Sequence, residues 1–388
     1  MRTIVVLISL LLGITSVSFS QGTDVVSSPS STNVRWSEFP QITKDGRVVI
    51  RFKAPAASTV QALFPRDKTY DLTKDSEGMW SVITDPQVPG FHYYTLVIDG
   101  GDEVADPDTE AFPARFKLVS GVEIPTGDED FFLIKDVPHG EITCKWYFSK
   151  TTGEWRRAYV YLPPDYLKNP ERHYPVLYLQ HGSSEDERNW GMQGHADFIL
   201  DNLIAAGKAR PMIIVMGKGY AQYPSEGYSQ QVYQRARASE ALNDVFINDL
   251  IPMVDSTFRT IPDREHRAMA GLSMGGGQTY RIVFSNPGVF GSVGLFSAAL
   301  RLGGNTGDLS GEFNGIFSDP EAFNEKFKLV FIGIGTKESE RLYNASYGLH
   351  TDFEKLGINH VYYESPGTDH EWHTWRRDLY QFAQLLFK

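Results

Sequence analysis

The second half of the sequence constrains the fold most strongly, because short apolar runs alternate there with helical patterns. The apolar runs are Tyr174–Leu179 and Met212–Met216, and the helical patterns cover His195–Ala206 and Ser239–Phe258. Strands that are apolar along their whole length, with helices between them, are typical of parallel sheets covered by helices. We therefore predict an α/β domain with a mostly parallel sheet over residues 136–388.

The region from residue 34 to residue 124 has a different pattern. Short alternating or β-branched runs are separated there by Asp-Gly, Pro and Gly turns, and these runs are Val48–Phe52, Thr59–Phe64, Trp80–Ile83 and Tyr93–Ile98. Short, regularly spaced strands of this kind are typical of an all-β sandwich. The Pro-, Gly- and Asp-containing residues 125–135 are predicted to link the two domains, for which a chain of 388 residues is long enough.

The N-terminus has the features of a secretory signal peptide. Arg2 precedes the apolar run Ile4–Ile14, and the small-residue site Ser18-Phe19-Ser20 follows that run. The run is shorter than the roughly 20 apolar residues that a membrane-spanning helix needs. We predict a signal peptide over residues 1–20, a flexible leader over residues 21–33, and a periplasmic or secreted bacterial protein that leaves the membrane after cleavage. An uncleaved anchor is the less favoured alternative.

Charge and composition exclude several classes of function. The 48 acidic and 37 basic residues give a net charge of −11, so no general field attracts nucleic acid. The histidines have no metal-ligand spacing, and no phosphate-binding loop occurs, so we predict no metal, cofactor or nucleotide. Cys144 is the single cysteine, which excludes an intramolecular disulfide, and we expect its side chain to be buried.

The strongest local signal for chemistry is the pentapeptide Gly271-Leu272-Ser273-Met274-Gly275. It fits the G-x-S-x-G nucleophile elbow, in which a sharp turn between a strand and a helix presents a serine. A strand-like run, His266–Ala270, precedes it and a helical pattern, Gly276–Phe284, follows it. Such a turn holds the serine in a strained conformation with close neighbours, so it needs glycines. Ser273 is the predicted nucleophile.

A nucleophilic serine needs a histidine base. In proteins with this type of elbow, the histidine follows the serine in the chain. His370 lies in a loop after the strand-like run Val361–Glu364 and is the predicted base. His373 is a weaker alternative, and His181, which precedes the serine, is interpreted as a structural residue.

The histidine in turn needs a carboxylate that fixes its tautomer. This acid should follow the apolar run Lys328–Ile334, where the loop offers two carboxylates. Glu338 is preferred to Glu340, and Asp352 is less favoured than either.

An oxyanion hole needs backbone N–H groups directed at the developing negative charge. Met274, the residue after the nucleophile, supplies one of them by position. The second should come from Gly182 or Ser183 in the loop after the buried strand, and Ser183 is preferred. Five side chains are candidates for the wall of the substrate pocket: Trp190, Tyr220, Tyr228, Gln230 and Trp372.

Taken together, the motifs resemble carbohydrate esterase family 1, the feruloyl and acetyl xylan esterases of the esterase D type. The resemblance covers residues 136–388 and rests on an ordered set of segments: Asp136–Gly140, Arg157–Pro164, Tyr174–Gly182, Arg267–Gly276 and His370–Trp372. It implies an α/β-hydrolase fold and a serine ester hydrolase that removes feruloyl or acetyl groups from plant polysaccharide or oligosaccharide. One departure is that Glu338 stands where the family usually has an aspartate.

Residues 34–124 resemble the immunoglobulin-like early-set sandwich related to carbohydrate-binding module family 48. This resemblance rests on segments such as Asp45–Val48, Phe52–Pro55 and Gly78–Trp80. We interpret the aromatic residues of this domain as packing in preference to a sugar platform, and sugar binding and the oligomeric state stay open. Three alternative functions remain: a siderophore trilactone esterase, a secreted acyltransferase and a non-catalytic glycan-binding protein.

Overall fold

The computed structural model describes residues 15–17, 25–34, 36–64, 68–101, 103–127, 129–227, 240–300 and 309–388. The chain divides into two compact units. The first unit comprises residues 1–112 and 118–127, and the second comprises residues 113–117 and 128–388. The main boundary, after residue 127, falls within the predicted linker.

The N-terminal region is built from β-strands, as the sequence predicts. Its described strands are β1 Thr15–Val17, β2 Val25–Pro29, β3 Gln41–Thr43, β4 Arg47–Lys53, β5 Val60–Phe64, β6 Lys68–Asp71, β7 Thr73–Lys74, β8 Met79–Pro86, β9 Gly90–Ile98, β10 Glu103–Val104, β11 Ala111–Ala114 and β12 Lys117–Ile124. One sheet has the order β1-β2-β3-β4-β8-β7, and the other has the order β11-β12-β9-β5-β6 with β10 paired to β9. Alternate residues of these strands, among them Val48, Ile50 and Leu96, form the core of this unit.

Residues 25–33 differ from the flexible leader that their composition predicts. Strand β2 pairs with β3, and the Thr32 hydroxyl donates a hydrogen bond of 2.8 Å to the carbonyl of Gly121. The Ser27 hydroxyl likewise donates to Gln41 Oε1 at 2.5 Å. The prediction of flexibility is wrong for this stretch, because its small polar side chains find buried acceptors in distant strands. The predicted signal peptide and leader also include residues 1–14 and 18–24, which lie outside the described residues.

The second unit contains one eight-stranded sheet. Its strands are β13 Glu141–Ser149, β14 Glu154–Leu162, β15 Val176–Gln180, β16 Ile213–Gly217, β17 Arg267–Leu272, β18 Ser292–Phe296, β19 Leu329–Gly335 and β20 Val361–Ser365. Their order is β13-β14-β16-β15-β17-β18-β19-β20. The strands from β16 to β20 in this order pair in parallel, whereas β13 and β14 are antiparallel. The predicted, mostly parallel sheet is confirmed.

Helices connect the parallel strands, and a last helix follows β20. They are α1 Asn189–Met192, α2 Ala196–Ala205, α3 Glu240–Asp244, α4 Ile251–Thr257, α5 Met274–Ser285, α6 Pro320–Lys326, α7 Glu340–Leu356 and α8 Trp372–Leu385. A π-helical segment, Val245–Leu250, joins α3 to α4, and short 3₁₀ turns cover Pro224–Glu226 and Glu312–Asn314. Within the described ranges, none of the helices combines the length and the apolar character needed to cross a membrane.

The predicted linker is packed over part of its length, because Phe132 is buried and Glu129 accepts hydrogen bonds from Arg377.

One further expectation is corrected in the second unit. Cys144 is exposed, not buried. Successive side chains of a strand point to opposite faces, and Cys144 shares its face of β13 with Trp146, which is 55% exposed. The apolar character of a cysteine does not reveal which face of an edge strand it occupies.

Candidate active site

The site is built around the turn between β17 and α5, where Ser273 lies. Ser273 has φ 51° and ψ −113°, a conformation that L-residues rarely adopt. Its N–H donates to the carbonyl of Phe296 at 2.8 Å, and its own carbonyl accepts from the Ala299 N–H at 2.9 Å. Such strain persists only where the surroundings hold it. The turn therefore places the hydroxyl at the carboxyl end of a central strand.

The glycines of the elbow are explained by close approach of the backbone. A Cβ atom on Gly275 would lie 2.5 Å from the carbonyl oxygen of His181, and a Cβ on Gly271 would lie 2.6 Å from the backbone of Gly275. Both distances are shorter than van der Waals contact permits, so neither position accepts a larger residue without movement. The elbow consequently packs directly against the loop that follows β15.

Ser273, His370 and Glu338 come together in one chain of hydrogen bonds. The Ser273 hydroxyl donates to His370 Nε2 at 2.8 Å, and His370 Nδ1 donates to Glu338 Oε2 at 2.8 Å. The side chain of His370 is 12% exposed and that of Glu338 is fully buried. With its proton on Nδ1, the imidazole keeps Nε2 ready to accept the serine proton. This is the arrangement that a nucleophile, a base and an orienting acid require.

The Glu338 carboxylate is oriented by a second pair of side chains. The Ser297 hydroxyl donates to Glu338 Oε1, and Trp375 Nε1 donates to Ser297 Oγ at 3.0 Å. Trp375 also packs edge-on against the His370 ring, with 5.0 Å between the ring centroids. The roles of Ser297 and Trp375 could not be recognised from the sequence, because no local motif links a residue after β18 to a carboxylate 41 positions later.

The alternative acids and bases have other partners. Glu340 is the exposed first residue of α7, and Asp352 pairs with Lys355 Nζ at 3.0 Å. His373 is buried, with its Nε2 3.1 Å from Glu129 Oε2. The geometry therefore favours Glu338 and His370.

The predicted oxyanion donors differ in whether their N–H groups are available. Met274 is the first residue of α5, where backbone N–H groups have no partner within the helix. The Gly182 N–H instead donates to Glu185 Oε2 at 2.8 Å. Gly182 is therefore the weaker of the two candidates in its loop, and Ser183 remains the preferred second donor.

His181 has the environment of a structural histidine. Its Nδ1 donates to the carbonyl of Gly182 at 2.8 Å, and its Nε2 accepts from the Gly219 N–H at 2.9 Å. Burial lowers the pKa of His181, which favours the neutral ring that both hydrogen bonds need. This geometry agrees with the interpretation drawn from the sequence.

Two of the proposed pocket-wall residues lie in the interior. Trp190 and Trp372 are each 1% exposed and pack edge-on, with 5.4 Å between their ring centroids. Trp190 Nε1 also donates to the carbonyl of Gln180 at 2.9 Å. Their positions next to loops suggested a pocket wall, but burial makes both residues part of the packing beneath the site. Tyr228 and Gln230 lie outside the described residues.

Tyr220, the other pocket-wall candidate within the described part of the chain, is also buried. Its side chain packs against Met274, and its hydroxyl accepts a hydrogen bond of 2.6 Å from the Ser184 N–H. Tyr220 is therefore adjacent to the loop that carries the predicted oxyanion donor.

A buried carboxyl group lies behind the site on α8. Asp378 has no exposed surface, and neither of its carboxyl oxygens has a hydrogen-bond partner among the described residues. Burial, together with the charge of Glu338, raises the pKa of Asp378 well above its usual range. The folded chain thus holds a proton that the unfolded chain releases above the normal aspartate pKa.

This buried group gives a prediction about stability. Between the usual aspartate pKa and the raised pKa of Asp378, the folded state binds more protons than the unfolded state. The contribution of Asp378 to the free energy of unfolding therefore falls as the pH rises through this range. Asp378→Asn should therefore raise the free energy of unfolding at pH 8 by about 1 kcal/mol or more, and by less at pH 5. Denaturant unfolding of wild type and variant at both pH values measures this. An Asp378→Asn effect that is equal at both pH values, or that matches the surface control Asp352→Asn, would contradict the interpretation.

Comparison with known proteins places the second unit in a family. The Esterase family model matches residues 149–385, leaving the N-terminal unit outside the match. The endo-1,4-beta-xylanase/feruloyl esterase of Xylanibacter ruminicola is 38% identical over 368 residues, which are 93% of this chain and 47% of that protein. An esterase of Mycobacterium tuberculosis is 30% identical over 268 residues, 58% of this chain and 53% of that protein. The chain thus spans about half the length of these curated relatives.

Solved structures have the same fold. A CE1 ferulic acid esterase from Anaeromyces mucronatus in complex with ferulic acid is 25% identical, with a TM-score of 0.56 over 67% of this chain and 95% of that chain. The enterobactin esterase from Shigella flexneri is 14% identical, with a TM-score of 0.63 over 87% of this chain and 92% of that chain. The predicted α/β-hydrolase fold is confirmed. With the family match covering most of the second unit and more than half of the chain, the chain belongs to the Esterase family.

Proposed function

We propose that this protein hydrolyses feruloyl or acetyl ester substituents on plant cell-wall polysaccharides such as xylan. The observation that carries the proposal is the chain of two 2.8 Å hydrogen bonds from Ser273 through His370 to Glu338. The relative that is 38% identical over nearly the whole chain supports this substrate class, since its name includes feruloyl esterase.

In the proposed mechanism, Ser273 Oγ attacks the ester carbonyl carbon while its proton passes to His370 Nε2. The Met274 and Ser183 N–H groups donate to the oxyanion that forms, and Glu338 stabilises the imidazolium. The C–O bond to the sugar then breaks as His370 returns the proton to the leaving oxygen. Water, deprotonated by His370, attacks the acyl-serine and releases the acid and free Ser273.

A siderophore trilactone esterase is the second candidate. The enterobactin esterase aligns with 87% of this chain, which is more than the ferulic acid esterase covers. However, the net charge of −11 disfavours an anionic catecholate substrate. We therefore rank this candidate below cell-wall esters.

Location and the N-terminal unit form part of the proposal. A signal peptide over residues 1–20 would export the protein to the compartment where polysaccharide is available. Trp80, Phe91 and Tyr94 of the first unit are buried, as expected of packing residues, whereas Trp36 is fully exposed. The likeness of this unit to carbohydrate-binding module family 48 stays a prediction.

A panel of four substrates tests the proposal. The chain from residue 21 onward should release ferulate from methyl ferulate or acetate from acetylated xylan, in excess of its Ser273→Ala variant. Ferulate release would assign feruloyl esters, and acetate release alone would assign acetyl esters. Turnover of enterobactin alone would support the second candidate. Transfer of the acyl group to an added sugar in preference to water would indicate an acyltransferase. The absence of turnover of all four substrates, methyl ferulate, acetylated xylan, 4-nitrophenyl acetate and enterobactin, would contradict the proposal.

A further inference from the structure

In the loop after β15, side chains accept hydrogen bonds from two backbone N–H groups. The Gly182 N–H donates to Glu185 Oε2 at 2.8 Å, and the Ser184 N–H donates to the Tyr220 hydroxyl at 2.6 Å. Between them, the Ser183 N–H has no hydrogen-bond partner among the residues that the structure describes. The N–H groups on either side of Ser183 therefore both donate hydrogen bonds to side chains.

The same loop is held from behind by the segment that carries Tyr220. His181 bridges the carbonyl of Gly182 and the N–H of Gly219. The carbonyl of Gly219 in turn accepts a hydrogen bond of 2.7 Å from Gln278 Nε2 on α5. The loop, the segment after β16 and the helix of the nucleophile elbow are thus joined through side chains.

Gly182 also has no space to move toward the elbow. A Cβ atom at this position would lie 2.6 Å from Leu272 Cδ1 and 3.0 Å from Glu185 Oε2. The backbone at Gly182 therefore lies close both to Leu272, which precedes the nucleophile, and to the Glu185 carboxylate.

We propose that Glu185 and Tyr220 are positioning residues of the oxyanion hole, which hold the neighbouring amides so that the Ser183 N–H stays directed at the substrate. This inference rests on the proposed ester hydrolysis and deepens it. Oxyanion donors are effective because they are fixed before the negative charge develops. Without an acceptor for the Gly182 N–H, the peptide planes of the loop gain freedom, and the Ser183 N–H loses its fixed direction.

The role of Glu185 depends on its acceptor oxygen and not on its charge. A negative charge close to an oxyanion opposes the transition state, so the useful property is the hydrogen bond to Gly182. Glutamine keeps a carbonyl acceptor on a side chain of the same length. Glu185→Gln should therefore rescue what Glu185→Ala loses.

Kinetics of 4-nitrophenyl acetate hydrolysis test the proposal. Glu185→Ala and Tyr220→Phe should each lower kcat by about 10- to 100-fold with little change in KM, because the lost interaction acts on the transition state. Glu185→Gln should recover most of that loss. The matched control is Asp319→Ala, which removes another carboxylate that accepts one backbone N–H, that of Ala322 at the start of α6. Its kcat should equal that of wild type.

Hydrogen exchange provides a readout that does not need turnover. Amides of residues 181–185 should exchange faster in Glu185→Ala than in wild type, while Asp319→Ala leaves them unchanged. Wild-type kcat in both Glu185→Ala and Tyr220→Phe, or unchanged exchange in this loop, would overturn the inference while leaving the proposed function intact. An inactive wild type with faster exchange in Glu185→Ala would instead reject ester hydrolysis and retain the role of Glu185 in holding the loop. Thermal unfolding of each variant identifies any loss of fold. If Glu185→Ala does not fold, the kcat of Tyr220→Phe decides whether the inference holds.

Discussion

Ser273→Ala should lower kcat for ester hydrolysis by about 10,000-fold or more, the largest effect expected of any single change. Alanine has no hydroxyl to attack the carbonyl carbon, and no neighbouring group in the described site offers a second nucleophile in line with His370. Among the described residues, the Ser273 hydroxyl is hydrogen-bonded to His370 Nε2 at 2.8 Å, and losing this single hydrogen bond should affect folding little. Steady-state kinetics and thermal unfolding of the same preparation measure both effects.

The control for this variant is Ser285→Ala, which changes the exposed serine at the other end of α5 and should retain wild-type activity. His370→Ala should cause a loss comparable to that of Ser273→Ala, because the two residues act as a unit. Activity above about a hundredth of wild type in either Ser273→Ala or His370→Ala would overturn the assignment, since such a residue would not be essential.

Glu338→Gln should lower kcat by about 100- to 10,000-fold. A glutamine presents an N–H₂ group as readily as an oxygen to His370 Nδ1, which favours the tautomer whose Nε2 carries the proton and accepts none from Ser273. The side chain of Glu338 is fully buried, and its other oxygen accepts a hydrogen bond from the Ser297 hydroxyl, so solvent has no access to replace it.

The matched control for Glu338→Gln is Glu340→Gln, the same change two residues later at an exposed position. We expect that variant to retain wild-type kcat. A large loss of kcat in Glu340→Gln with no loss in Glu338→Gln would instead identify Glu340 as the acid and contradict the assignment of Glu338.

The parallel sheet and the elbow could be predicted from the sequence because their signals are local. A strand buried on both faces, such as β16, is a continuous apolar run, and all five of its residues are buried. The elbow is marked by glycines that the backbone itself requires, as the close approach of Gly275 to His181 demonstrates. The order of Ser273, Glu338 and His370 along the chain then follows from the order of the strands.

The features that could not be predicted depend on contacts between distant segments. Ser297 and Trp375 orient Glu338 from two other elements, and nothing in their local sequence indicates that role. Trp190 and Trp372 were expected to line a pocket, but each ring packs against the other in the interior. Position next to a loop indicates that a ring is near the site, whereas the direction of the side chain depends on the tertiary packing.

Acylation of Ser273 is the measurement that tests the central claim most directly. On rapid mixing with excess 4-nitrophenyl acetate, the protein should release a burst of nitrophenol of up to one equivalent per chain if deacylation is the slower step. When it is quenched with acid during this turnover, up to one acetyl group per chain should remain attached, and mass spectrometry of peptides should assign that group to Ser273. Ser273→Ala should give neither burst nor adduct. Turnover with the acetyl group on another residue, or undiminished turnover in Ser273→Ala, would contradict the account.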